Sequence, residues 1–207
     1  MIALLGLAIA ADANAPHEHR GIVSAYSGAP PAVSLTAADV ATLERGDLVQ
    51  KQIRVDSGGR GVAVMHVEAP PTTIWKTIQN YGAYPEWVDG LDNTSIYASQ
   101  GDHVYVAFSL SKMGIGIDYF IDHTVKTEEG WVTWTLDYDR QSDLDDSVGY
   151  WRVTQLSDNP AVSRVEYSVD LRVKGWVPGF IETLLMDKGL VMATSWVKTQ
   201  AEAAYSP

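Results

Sequence analysis

The chain has 207 residues, 46% of them hydrophobic, and a formal net charge of −11. This length suits one domain with a sizeable core. The acidic balance excludes nucleic acid, which is held through clustered lysine and arginine, and disfavours adsorption to anionic lipid. There is no cysteine, which excludes disulfides, thiolate metal sites and a cysteine nucleophile. Seven tryptophans and ten tyrosines stand against three phenylalanines. Such rings pair an apolar body with one polar handle, suiting a core and equally the wall of a cavity around an amphipathic molecule.

Residues 1–15, MIALLGLAIAADANA, form a short apolar run followed by small residues that twice match an A-x-A cleavage pattern. The run is too short to span a bilayer. It predicts a signal peptide and a periplasmic or secreted protein, although no lysine or arginine precedes it. Residues 16–33 are rich in Pro, Gly, Ser and Ala without periodicity and predict a flexible linker, leaving 34–207 as the domain. His17 and His19 flank Glu18 in this stretch with no third metal ligand nearby, and read as part of a tail.

Thr36 is a natural N-cap for a short helix that Gly46 ends. The period then changes from helical to strand-like. Segments 48–55 and 61–67 flank a Gly-rich hairpin signal, and PPTTIWKTIQN predicts a short helix with Ile74, Trp75 and Ile78 on one face. After a loop carrying Trp87, strand-like segments follow at 94–98, 103–110, 115–126, 131–138, 148–156 and 163–173. In the last of these Val165, Tyr167, Val169, Leu171 and Val173 alternate with Arg164, Glu166, Ser168, Asp170 and Arg172, which predicts one buried and one wet face. The same alternation turns Val104, Val106, Phe108 and Leu110 inward, then Ile117, Tyr119 and Ile121, then Trp134, Leu136 and Tyr138, then Trp151 and Val153. The acidic run 137–147 lacks the central glycine and terminal glutamate of a calcium loop and reads as a solvated hairpin tip.

Residues 177–205 predict one long helix opened by Pro178. At 100° per residue Ile181, Leu185, Met192 and Trp196 share one line, flanked by Met186, Leu190, Ala193 and Val197. Phe180, Leu184 and Val191 lie beyond a narrow polar arc. A helix apolar over so much of its circumference must be gripped by a curved sheet. Gly189 interrupts the apolar face at a cost of about 1 kcal/mol relative to alanine, for close packing on a strand or for ligand space. The fold class is therefore α+β: an antiparallel sheet wrapped around the last helix, with any space between them an apolar pocket.

Signals for catalysis are thin. Strand alternation separates Asp118 and Asp122 from His123, so no dyad follows. Tyr105, Tyr119 and Tyr167 are able to polarise a carbonyl, but tyrosines in a pocket wall also simply supply shape and a hydrogen bond.

The order of elements, the stretch VEAPPTTIWKTIQNYGAYPEWVDGLDNTSIY, the strand GYWRVTQL and the junction KGWVPGFI at Lys174–Ile181 together resemble the START-like, or SRPBCC, helix-grip superfamily of lipid-transfer, aromatase/cyclase and quinone-binding proteins. The resemblance spans about residues 34–205. It implies a hydrophobic tunnel closed by loop 111–116, with Met113, and by the Trp176-Val177 junction beside Phe180. Where many START domains carry a cavity-facing arginine before an aspartate, this chain has Ile117-Asp118, which implies a more apolar pocket. The expected function is binding and carriage of a lipid, sterol, terpenoid or quinone without a cofactor or metal, with transient membrane contact; protein partners cannot be read. An aromatase/cyclase-like enzyme and an interaction module with a filled cavity stand as alternatives. The expected ligand wall comprises Trp87, Val106, Phe108, Leu110, Met113, Ile117, Tyr119, Trp134 and Tyr138, continuing through Trp151, Tyr167, Trp176, Phe180, Leu184, Leu185, Gly189 and Met192.

Overall fold

The computed structural model describes residues 10–55, 58–112, 115–173 and 189–205. Helix α1 (Ala37–Glu44) opens with a capping box in which the Thr36 hydroxyl accepts from the Asp39 N–H and the Asp39 carboxylate accepts from the Thr36 N–H. Gly46 follows with φ +82°, the left-handed geometry that ends a helix. Strands β1 (Val49–Val55) and β2 (Gly58–Val67) form a hairpin, and Pro70-Pro71 then starts α2 (Pro71–Ile78), which buries Ile74, Trp75 and Ile78. A 3-10 turn at Tyr81–Ala83 and the single turn α3 (Tyr84–Trp87) lead into β3 (Leu91–Gln100). The chain then meanders through β4 (His103–Lys112), β5 (Ile115–Lys126), β6 (Trp131–Leu136), β7 (Leu144–Asp158) and β8 (Ala161–Val173). The described part of the last helix, α4, is Gly189–Ala204.

All eight strands make one antiparallel sheet in the order β1-β2-β8-β7-β6-β5-β4-β3. The connection through α2 and α3 thus carries the chain from one side of the sheet to its far edge, and the meander returns it to β2. Cross-strand partners share a face. Phe108 with Tyr119, His123 with Trp134, and Trp151 with Tyr167 therefore project to the inner side, which α2 and α4 cover. Trp196, Val197 and Ala201 bury α4 against this face, completing one core with Val106, Ile121, Val132, Val153 and Val165.

Helix and sheet approach closely at Gly61, where a β-carbon would lie 2.6 Å from Leu190 Cδ1. The close approach between α4 and the sheet is thus made by a strand glycine under a helix leucine.

The outer face is not uniformly wet, contrary to the alternation in β8. Glu166 and Ser168 are buried, because residues 10–35 run over this side without helix or strand. Their composition led to the expectation of a linker, but the segment is tied down along its length. Asp12 bridges to Gln141, the Arg152 guanidinium donates to the Pro30 carbonyl at 3.0 Å, and the Val33 N–H donates to Glu166 at 3.1 Å. α1 continues the cover, packing Leu43 on Val49 and Val64.

The acidic run is likewise no solvated tip. β7 already begins at Leu144, and Asp146 is fully buried. Its Oδ2 accepts from the Ile22 and Val23 N–H groups, both at 2.7 Å, and its Oδ1 accepts from the Tyr138 hydroxyl and the Ser147 N–H. Four donors satisfy the charge that burial would otherwise penalise.

Candidate functional site: an aromatic basin on the inner face

Exposure on the inner face rises along the strands. Val106, Ile121 and Val165 are sealed, whereas Leu110, Ile117, Tyr119, Tyr167, Val169 and Leu171 are only half-buried and form the sheet's side of a basin. Its walls are rings in contact. Tyr84 lies 4.6 Å from Trp196, Trp196 6.3 Å from Trp151, and Trp151 4.5 Å from Tyr167. Tyr167 continues at 5.5 Å to Trp134, Trp134 at 6.2 Å to His123, His123 at 5.0 Å to Tyr81, and Tyr81 closes the circuit on Tyr84 at 5.5 Å. Trp87 stacks on Trp196 at 5.5 Å, and Phe108 stacks on its cross-strand partner Tyr119 at 5.1 Å with the planes 5° apart. Such spacings are favourable for aromatic pairs.

Polar groups in this wall are few. The Tyr84 hydroxyl is spent on the Ile78 carbonyl. Tyr81 Oη is buried without a partner. The hydroxyls of Tyr119 and Tyr167 make no hydrogen bond among the described residues, and burial raises the pKa of both, Tyr167 adding to the effect on Tyr119. These phenols therefore stay protonated. His123 Nδ1 lies 3.2 Å from the Val104 carbonyl and donates to it. Burial pushes the imidazole down to about 4, so at neutral pH it is uncharged and Nε2 carries a lone pair. The buried carboxylates among the described residues, Asp146 and Glu166, both lie on the outer side under the N-terminal segment.

Of the expected wall, Trp87, Val106, Phe108, Leu110, Ile117, Tyr119, Trp134, Trp151 and Tyr167 all belong to this core or pack against it. Met113, Trp176, Phe180, Leu184 and Leu185 lie outside the described residues, while Gly189 and Met192 fall within α4. Tyr138, just past the end of β6, also packs against this core, while its hydroxyl turns to Asp146 beneath the N-terminal segment. Sequence reasoning missed Tyr81, Tyr84, His123 and Trp196 as site residues. The signal for His123 was present, since it continues the inward series Ile117, Tyr119 and Ile121.

On the outer side the fold supplies the third group that His17 and His19 lacked in sequence. Asp145 joins them, with the three potential ligand atoms within 4.8 Å of one another. The Ser142 N–H donates to His17 Nδ1 and the Gly21 N–H donates to His19 Nδ1. The Nε2 atoms therefore hold the protons, His17 donating to the Asp145 carbonyl at 2.9 Å and His19 to its carboxylate at 3.2 Å. The arrangement is a hydrogen-bonded clasp for the N-terminal segment, with both imidazole lone pairs engaged by backbone.

Residues 59–202 match the family model described as polyketide cyclase / dehydrase and lipid transport, and the chain belongs to this family. No curated protein matches it in sequence. Among solved structures it is similar to the Zhui aromatase/cyclase from Streptomyces sp. R1128, with 10% identity and TM-score 0.58, covering 74% of this chain and 94% of that one. It is also similar to a STAR-related lipid transfer protein from Xanthomonas axonopodis, with 12% identity, TM-score 0.58 and coverage of 74% and 93%. A START superfamily protein from Mycobacterium smegmatis aligns with 16% identity and TM-score 0.54, over 76% of this chain and 99% of the other. These likenesses establish the helix-grip fold.

Proposed function

We propose that the protein binds a hydrophobic small molecule in the aromatic basin and carries it between membranes or partners. The observation that carries this reading is the ring-lined, half-buried inner face from Leu110 to Leu171. A basin of this kind fits an apolar body, and lipid transport belongs to the description of the family. Entry past loop 111–116 and the Trp176 junction is part of this proposal; the half-buried Leu110 and Ile117 flank the first of these in sequence, and the second lies outside the described residues. No described helix is long and apolar enough to cross a membrane. The apolar run at 1–9 lies outside the described residues, and export to the periplasm or beyond is part of the proposal on sequence pattern alone. Organic extraction of the protein from its native host, followed by mass spectrometry, tests carriage: an intact co-purifying lipid, terpenoid or quinone is expected, and recovery of none overturns it.

A second reading, chemistry of the cyclase kind, is favoured by one observation: the uncharged His123 imidazole shares the basin with protonated phenols, a base and acids in one apolar site. Recovery of a chemically altered product in the same extraction supports it over carriage.

A further inference from the structure

The basin presents a specific polar pattern within its apolar wall. His123 is 7% exposed, its Nδ1 proton is committed to Val104, and its Nε2 makes no hydrogen bond among the described residues. The neighbouring Tyr81 hydroxyl is buried without a partner. An acceptor thus borders the basin in a ring of Tyr81, Phe108 and Trp134. Tyr119, two positions earlier on the same face of β5, adds a hydroxyl with no hydrogen bond among the described residues.

This pattern discriminates between ligand chemistries. A carboxylate or phosphodiester brings no donor to the Nε2 lone pair, and no lysine or arginine is buried among the described residues to meet its charge. An ammonium would be buried there without a carboxylate. A ketone or quinone oxygen would set one lone pair against another at His123. A hydroxyl donates to Nε2, and its oxygen remains free to accept from a tyrosine. We infer that the ligand is a neutral apolar molecule bearing an alcohol or phenol, whose hydroxyl donates to His123 Nε2. This rests on the basin being the ligand site.

The probes are 2-naphthol and 2-methylnaphthalene, which differ by hydroxyl against methyl at nearly equal size. Equilibrium dialysis at neutral pH on the full chain is expected to favour 2-naphthol about tenfold or more, against the greater hydrophobicity of the methyl compound. In His123→Phe the preference is expected to vanish while 2-methylnaphthalene still binds. The wild-type protein supplies a measurement independent of that variant: the nitrogen-15 resonance of His123 Nε2 moves upfield with 2-naphthol and stays in place with 2-methylnaphthalene. Equal affinities in the wild type, or an unmoved resonance in saturated protein, would mean that water satisfies His123 and would overturn the hydroxyl assignment while leaving the basin as a binding site. Binding of neither compound would overturn the basin reading and the assignment with it.

Discussion

A β-carbon on Gly149 would stand 2.1 Å from Cζ2 of Trp134, its cross-strand partner, and 2.4 Å from the Ser168 carbonyl oxygen. The indole of Trp134 lies over the strand where β7 has no side chain, which lets it join the basin wall. Gly149→Ala should therefore move both the indole and the β7–β8 backbone, and no rotamer change relieves the second contact. The expected loss is about 1–3 kcal/mol or more in chemical denaturation.

Gly61 offers a graded comparison, because its near neighbours, Cδ1, Cδ2 and Cγ of Leu190, belong to one side chain and not to backbone. Gly61→Ala should cost less than Gly149→Ala. Leu190→Ala in the same chain should recover part of that cost, giving a non-additive double-mutant cycle. Additive losses would mean that the two residues do not share the contact.

Asp146 holds the N-terminal segment with one carboxylate. Asp146→Ala strands four donors, two of them on residues 22 and 23, and about 2–4 kcal/mol of stability should be lost. Asp146→Asn should also destabilise, since one acceptor oxygen becomes an NH₂ facing donors. Limited proteolysis is the discriminating measurement: new cleavage between residues 16 and 33 is expected in both variants before the sheet itself is cut.

His123 sets a pH dependence. Its pKa falls from 6.5 to about 4 on folding, so between those values the unfolded chain binds a proton that the folded chain refuses. The stability this group contributes is complete above pH 6.5, falls as pH drops toward 4, and is flat below; the full span is roughly 3 kcal/mol. Urea denaturation from pH 7 to 4 should show this slope, reduced in His123→Phe. Asp39, held down to about 2 by Lys51, loses its contribution only at lower pH; His66, whose pKa burial also lowers, acts in the same direction as His123, so the difference between wild type and His123→Phe isolates His123.

Much of this architecture was legible because it is written in local periodicity. Val165 to Val173 alternate with polar residues, and the inner face follows from that alone; Trp196 and Val197 lie on the apolar side of a helical wheel, and both are buried. The outer face escaped because its cover is non-local. Nothing in residues 16–33 signals that Ile22 and Val23 meet Asp146, 124 and 123 positions away. Asp146 consequently looked like one more carboxylate in an acidic turn. His123 was placed on the correct side by alternation, but its value lies in one ring nitrogen bonded to Val104 and the other left open. Only the register of β4 on β5 brings that about.

The clasp also has a consequence for the order in which the chain acquires structure. His17 meets Asp145 across 128 residues, and Pro30 meets Arg152 across 122. During synthesis residues 10–33 emerge with no surface to dock on until β7 has been made. They close over the sheet only after a large loop has been formed, whose closure entropy makes this a late step. Until then residues 10–33 therefore stay undocked and accessible to whatever binds, threads or trims a nascent chain.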